Sequence, residues 1–184
     1  MTRLVGISGS LRKASFNSGL LRAAMEVAPA GVTLVAGRIQ EIPLYNGDDE
    51  RANGIPLAVQ TLKQQLTNAD GLLLFTPEYN NSLPGVMKNA IDWLTRPASD
   101  IDALFGGKPV AVLGASPGGF GTILAQNAWL PVLRTLGTRP WFEGRMMVSR
   151  AGNLFDDDGN LTDEVTRQRL GEFVEGFAAF AAAR

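Results

Sequence analysis

Hydroxyl and amide side chains crowd around two cations in Ser8-Gly9-Ser10-Leu11-Arg12-Lys13-Ala14-Ser15-Phe16-Asn17-Ser18, a composition suited to holding an anion. The run follows the apolar stretch Arg3-Leu4-Val5-Gly6-Ile7-Ser8. It precedes a segment in which Leu20, Ala24, Val27 and Ala28 recur at helical spacing. It therefore joins a buried strand to a helix N-terminus that Asn17 or Ser18 could cap. Free backbone N–H groups and the positive end of the helix dipole meet at such a point. Four serines and Asn17 add donors, and Arg12 can offer a phosphate two parallel N–H bonds. Gly6 and Gly9 fit neither GxxxxGK nor GxGxxG, so a monophosphate suits the loop better than a nucleoside triphosphate or a pyrophosphate. A serine-rich capping loop with a surface arginine is the plain structural alternative.

A second loop, Thr76-Pro77-Glu78-Tyr79-Asn80-Asn81-Ser82-Leu83-Pro84-Gly85, is stiffened by proline at both ends. It offers an aromatic face, amides, a hydroxyl and backbone N–H groups, a set suited to the edge of a flat heterocycle. By itself it is also an ordinary turn composition. A third, Ala115-Ser116-Pro117-Gly118-Gly119-Phe120-Gly121-Thr122, has three glycines that let backbone approach a ligand closely. Asp156-Asp157-Asp158-Gly159-Asn160 lacks calcium-loop spacing, because Leu161 and Arg167 stand where glycine and glutamate are needed. It reads as a turn before the last helix. Trp93 and Trp129 read as core or interface residues.

The elements that must position these loops follow from apolar patterning. Gly71-Leu72-Leu73-Leu74-Phe75-Thr76 and Pro109 to Gly114 are apolar on both faces, as strands inside a covered sheet are. Val32 to Ala36 and, less cleanly, Thr138 to Val148 supply further strands. Gly37 to Gly54 reads as a long polar loop. Helices are expected from Pro56 (Val59, Leu62, Leu66), around Met87, Ile91 and Leu94, and from Thr122 to Leu136, where Pro131 should kink or interrupt. A last helix opens at Thr162-Asp163-Glu164 and turns Leu170, Phe173, Val174, Phe177 and Ala181 inward; the alanine-rich end, Phe177 to Arg184, is good helix composition. β-α units repeated about five times predict an α/β fold, an open and mostly parallel doubly wound sheet in a single domain, residues 1–184. Ligands of such sheets sit at the carboxyl ends of the strands, where all three loops fall.

The 184 residues include no cysteine and no histidine. Thiolate nucleophiles, cysteine zinc sites, Ser–His–Asp triads and imidazole shuttles are excluded, and no metal is expected. A net charge of −1 gives no electrostatic case for nucleic acid or an anionic membrane. No apolar run approaches the ~18 residues of a membrane span, and a cytoplasmic protein is the expectation. Any enzyme here must rely on carboxylates, Lys, Tyr, backbone dipoles or a bound cofactor.

Gly9-Ser10-Leu11-Arg12-Lys13-Ala14-Ser15-Phe16-Asn17, Thr76-Pro77-Glu78-Tyr79-Asn80 and Leu83-Pro84-Gly85-Val86-Met87-Lys88-Asn89-Ala90-Ile91-Asp92-Trp93-Leu94 together resemble the NADPH-dependent FMN reductase family, which includes chromate, quinone and azo-dye reductases. The likeness covers nearly the whole chain. It implies a flavodoxin-like five-stranded sheet of order 2-1-3-4-5 and noncovalent FMN. Ser10, Arg12, Ser15 and Asn17, with Phe16 among them, would hold the phosphate. Pro77, Glu78, Tyr79 and Asn80 would border the isoalloxazine, and Ser116, Pro117, Gly118 and Gly119 would close its other side. Asn81 stands where relatives often carry a larger side chain. Leu124, Asn127 and Leu130 stand where some place oligomer-building arginine or tyrosine.

The function expected is an NAD(P)H oxidoreductase, using NADPH or NADH, in which FMN carries the chemistry and a small-molecule acceptor (quinone, flavin, azo compound or metal oxyanion) takes the electrons. No side chain is assigned as catalytic, with Glu78 the one candidate acid or base. A homodimer is expected, anchored by Trp93 and Trp129. The other readings are a flavodoxin-type electron carrier, against which the charge of −1 argues, and a phosphate-ligand binding module.

Overall fold

The computed structural model describes residues 1–183; Arg184, the end of the stretch read as helical, lies outside them. From the N-terminus run β1 (Thr2–Ser8), α1 (Phe16–Glu26), β2 (Val32–Gly37), α2 (Gly47–Asn53), α3 (Leu57–Thr67), β3 (Gly71–Phe75) and α4 (Gly85–Leu94). Then come α5 (Ile101–Phe105), β4 (Pro109–Ala115), α6 (Ile123–Thr135), β5 (Arg139–Pro140), β6 (Met147–Val148) and α7 (Glu164–Ala182). The sheet is parallel with order β2-β1-β3-β4-β5, the doubly wound arrangement expected.

Alternate strand residues feed two cores, as the two-residue period of a strand requires. Leu4, Leu73, Phe75, Ala111 and Leu113 pack on one face under α1 and α7, against Leu20, Leu170, Phe173 and Phe177. Val5, Ile7, Leu72, Leu74 and Val110 pack on the other, under α3, α4 and α6, against Leu62, Met87, Trp129 and Leu133.

The structure departs from the patterning in three places. The stretch read as loop contains α2, which buries no residue and so carries no apolar period; Asn46 caps it by accepting from the Asp48 N–H at 3.0 Å. The fifth strand position is shared by two short pieces. β5 pairs with Pro109 and Val110, and β6 with Gly114 and Ala115. Between them the chain leaves the sheet, and the Trp141 ring meets Phe173 at 5.0 Å and Phe177 at 5.8 Å. Finally, α6 runs unbroken through Pro131. The N–H that proline lacks would have met the carbonyl of Asn127, on the exposed face where water can serve.

Two fasteners bear on the carboxyl edge. Asn89 and Trp93 of α4 both donate to the Pro43 carbonyl, at 2.8 and 2.9 Å, and Asn89 accepts from the Tyr45 N–H at 2.8 Å. They clamp the long excursion after β2 against α4. The acidic turn closes on itself, Asp156 accepting from the Asn160 N–H at 2.7 Å, and the Gly159 carbonyl accepts from Arg22 of α1 at 3.0 Å.

Candidate functional site

The three loops meet at one edge of the sheet. Gly9 donates to the Phe75 carbonyl at 2.9 Å. A Cβ on Gly9 would fall 2.8 Å from Pro77, 2.8 Å from Pro84 and 2.9 Å from Met87, so only glycine lets the first loop lie against the second. Tyr79 then reaches back: its hydroxyl lies 3.4 Å from the Ser10 hydroxyl, which also accepts from the Arg12 N–H at 3.4 Å.

The first loop presents a donor set with few internal partners. Ser10 and Ser15 are buried. Ser15, and not the Asn17 or Ser18 expected, is the N-cap of α1: Asn17 and Ser18 lie inside the first turn, and Ser15 accepts from the Ser18 N–H at 3.3 Å. The Phe16 and Asn17 N–H groups of that first turn find no protein acceptor among the described residues. The Arg12 guanidinium sits 5.7 Å from the Phe16 ring centroid and donates to the Ala14 carbonyl at 3.0 Å. Phe16 is thus a platform for the cation. Backbone donors, hydroxyls and a stacked guanidinium on a helix N-terminus are a fit for a phosphate monoester.

Asn17 requires a correction. Its side chain, expected among the phosphate ligands, is buried and turned away. Its amide donates to the Ala115 carbonyl and accepts from the Ala115 N–H, both at 2.9 Å. β3 pairs only as far as Leu113, so Ala115 has no strand partner on that side, and Asn17 supplies one. Its backbone N–H, not its amide, faces the loop.

In the second loop, Thr76 is fully buried; its hydroxyl donates to the Pro77 carbonyl at 2.9 Å and accepts from Trp129 Nε1 at 3.1 Å. Tyr79 and Ser82 exchange backbone hydrogen bonds of 3.1 and 3.0 Å around Asn80 (φ 50°) and Asn81 (φ 60°). Two successive left-handed residues make the primed turn that asparagine tolerates. Both asparagines are carried to the exposed tip, and Tyr79 is 48% exposed.

Glu78 is placed differently from an acid or base awaiting a substrate. Its Oε2 accepts from the N–H groups of Leu124 at 2.8 Å and Ala125 at 3.1 Å, so the carboxylate caps α6. Two helix N-termini point at this edge. That of α6 is taken by Glu78, and that of α1 is open to an external anion.

The third loop is held from behind. Ser116 donates its N–H to the Val148 carbonyl at 3.0 Å and accepts from the Ala151 N–H at 3.1 Å, while Arg150 donates its N–H to the Gly118 carbonyl at 2.9 Å. The Ser116 hydroxyl donates to the Gly121 carbonyl. A Cβ on Gly118 or Gly119 would meet nothing within 4 Å. Both glycines face open space. Pro117 and Phe120 are exposed beside them.

The tether between Thr76 and Trp129 and the backing of the third loop by Val148, Arg150 and Ala151 are not marked in the sequence, because the partners lie dozens of residues apart. The two tryptophans expected at an interface are core: Trp93 is 1% exposed and Trp129 0%.

The family model described as NADPH-dependent FMN reductase matches residues 2–153. An NAD(P)H-dependent FMN reductase of Pseudomonas aeruginosa is 45% identical over 168 residues, covering 91% of this chain and 89% of the relative. A 2-hydroxy-1,4-benzoquinone reductase of a Burkholderia species is 37% identical over 178 residues, covering 97% and 95%. Among solved structures, a flavoenzyme NAD(P)H:(acceptor) oxidoreductase from Paracoccus denitrificans superposes with a TM-score of 0.85 at 35% identity, covering 98% of this chain and 97% of that one.

Proposed function

The chain belongs to the NADPH-dependent FMN reductase family, and on that premise we propose that a single domain holds one FMN across its three loops and passes electrons from NAD(P)H to a quinone. The protein is an FMN-dependent NAD(P)H oxidoreductase. FMN, when bound, would supply the redox chemistry between the nicotinamide and the acceptor. The chain supplies position and electrostatics.

In this reading the phosphate takes the Phe16 and Asn17 N–H groups, the Ser10 and Ser15 hydroxyls and the Arg12 guanidinium. Pro77, Glu78, Tyr79 and Asn80 would border the ring on one side, and Ser116, Pro117, Gly118 and Gly119 on the other. Backbone N–H groups at Gly118 and Gly119 are the fixed dipoles assigned to negative charge on the ring. A quinone enters over the exposed faces of Tyr79 and Phe120, which are 48% and 80% exposed. The relative named for a benzoquinone supports that acceptor class.

The observation that carries the reading is the contact of Gly9 with Pro77 and Pro84, with Tyr79 on Ser10. It sets phosphate donors beside an aromatic edge. The test is to titrate the apo-protein with FMN and follow quenching of flavin fluorescence, then to follow NAD(P)H oxidation with a benzoquinone. One FMN per chain and steady turnover are expected. Binding without turnover indicates an electron carrier, and failure to bind FMN overturns the reading.

No helix among the described residues is long and apolar enough to cross a membrane. We place the protein in the cytoplasm, where NAD(P)H is supplied. A homodimer is part of the proposal, with a second copy on the outer face of α6. Ile123, Leu124 and Leu130 are exposed there, and Ile123 and Leu130 line one groove with exposed Phe142. Exposed Glu143 and Arg145 follow Phe142 in the chain and carry opposite charges that a self-complementary two-fold contact can pair.

A further inference from the structure

We infer that Glu78 is a positioning residue: by capping α6 it sets the distance between the second and third loops and so forms the slot for the ring before FMN arrives. The inference rests on the three-loop site proposed above.

The cap of α6 is missing where local sequence would supply it. Thr122 occupies the N-cap position with φ −122° and ψ 38°, and its side chain makes no capping hydrogen bond. Its hydroxyl accepts instead from Gln126 Nε2 at 3.1 Å. It is also wedged against Gly114, where a Cβ would fall 2.4 Å from Thr122 Oγ1. The first-turn N–H groups of Leu124 and Ala125 are left to Glu78, 46 and 47 residues back in the chain. A carboxylate is the acceptor that the positive end of a helix favours most.

This cap spans two loops. Glu78 follows Pro77 in the loop read as bordering the ring, and α6 is the continuation of the glycine loop read as closing its other side. A second tether, from Trp129 Nε1 to the Thr76 hydroxyl at 3.1 Å, lies one helical turn further along α6. Thr76 and Glu78 flank Pro77, so the two tethers fix the direction of that segment as well as its place. Thr76 is fully buried and cannot swing, which leaves the Glu78 end as the adjustable side of the slot.

Three variants test this in apo and FMN-loaded protein. Glu78→Gln keeps an oxygen at the same reach, Glu78→Asp shortens the reach by one methylene, and Glu78→Ala removes the acceptor. In the apo-protein, amide hydrogen exchange at Leu124 and Ala125 should quicken about tenfold or more in Glu78→Ala and by an intermediate amount in Glu78→Asp, and stay near wild type in Glu78→Gln. The FMN Kd should rise about tenfold in Glu78→Ala and less than about threefold in Glu78→Gln. The rate of flavin reduction by NAD(P)H should be flat from pH 6 to 8 in wild type and Glu78→Gln alike. Unchanged exchange in Glu78→Asp and Glu78→Ala overturns the cap. Quickened exchange with unchanged FMN Kd overturns the role in the slot. A steep pH limb in wild type that vanishes in Glu78→Gln makes Glu78 a general acid or base instead. Should Glu78→Ala not fold, the Glu78→Asp and Glu78→Gln comparison decides. Wild type that binds no FMN overturns the functional reading and the slot with it, whereas normal FMN binding in every variant overturns the slot alone.

Discussion

Asn17 and Ala115 stand 98 residues apart in the chain and exchange two hydrogen bonds of 2.9 Å, the Asn17 amide donating to the Ala115 carbonyl and accepting from its N–H. The first turn of α1 is thereby sewn to the end of β4. Those elements carry the first and third loops, so the position of one loop relative to the other is set by one buried side chain.

Asn17→Ala should be a stability variant before it is a binding variant. It leaves the N–H and C=O of Ala115 without partners in the interior, a cost of about 2–4 kcal/mol. For a chain of this size the melting temperature should fall by roughly 5–10 °C. Calorimetry of the apo-protein measures the fall, and an unchanged melting temperature contradicts the account.

Arg12→Ala should do the reverse. The guanidinium is exposed and stacks on Phe16, so its loss costs the fold little. A charge-assisted hydrogen bond to phosphate contributes about 1.5–3 kcal/mol. The FMN Kd should rise about tenfold to a hundredfold with the melting temperature of the apo-protein nearly unchanged. Riboflavin, which lacks the phosphate, should bind wild type and variant alike.

The homodimer proposed for the wild type should give way to monomer in Phe142→Asp, read by light scattering at micromolar concentration. Phe142 is 65% exposed, so the substitution leaves the core intact. A wild type that is monomeric under those conditions, or a variant that remains dimeric, removes α6 and Phe142 from the interface.

Asp163 caps α7, and hydrogen bonds from the Thr166 side chain and N–H hold its carboxyl below the usual range. A carboxyl with a depressed folded pKa contributes stability that is full above the unfolded value, near 4, and is lost as the pH falls through the folded one. Asp163→Ala should therefore lower the melting temperature by about 2–4 °C at pH 5 to 8. The gap should narrow below about pH 4. A gap that stays constant down to pH 2 means the carboxylate is not the cap.

Much of this molecule is legible in its sequence for local reasons. Leu72, Leu73 and Leu74 have no polar face to show water, so β3 had to be central. Leu170, Phe173, Val174 and Phe177 recur at helical spacing and mark the face that α7 buries. The start of α1 is legible to within a turn, its cap falling on Ser15 and not on the Asn17 or Ser18 expected. Those signals are short in range, as capping, period and turn chemistry are. They are enough to place the three loops at one edge of the sheet.

What those loops do to one another was decided by packing across the sheet. The carboxylate of Glu78 had no assigned partner until α6 was laid beside it with two unfilled N–H groups. Asn17 could serve a phosphate until the end of β4 was found one strand partner short. Trp93 and Trp129 could anchor a partner until the helices that bear them closed on the sheet. In each case the side chain has several chemically sound uses, and the choice falls to whichever buried polar group or apolar surface the fold leaves unsatisfied. The chain's own sequence determines the elements and the donors they carry, because those depend on neighbours a few residues away. Tertiary structure alone assigns the partners, because a hydrogen bond spanning 98 residues leaves no periodicity in the sequence to read.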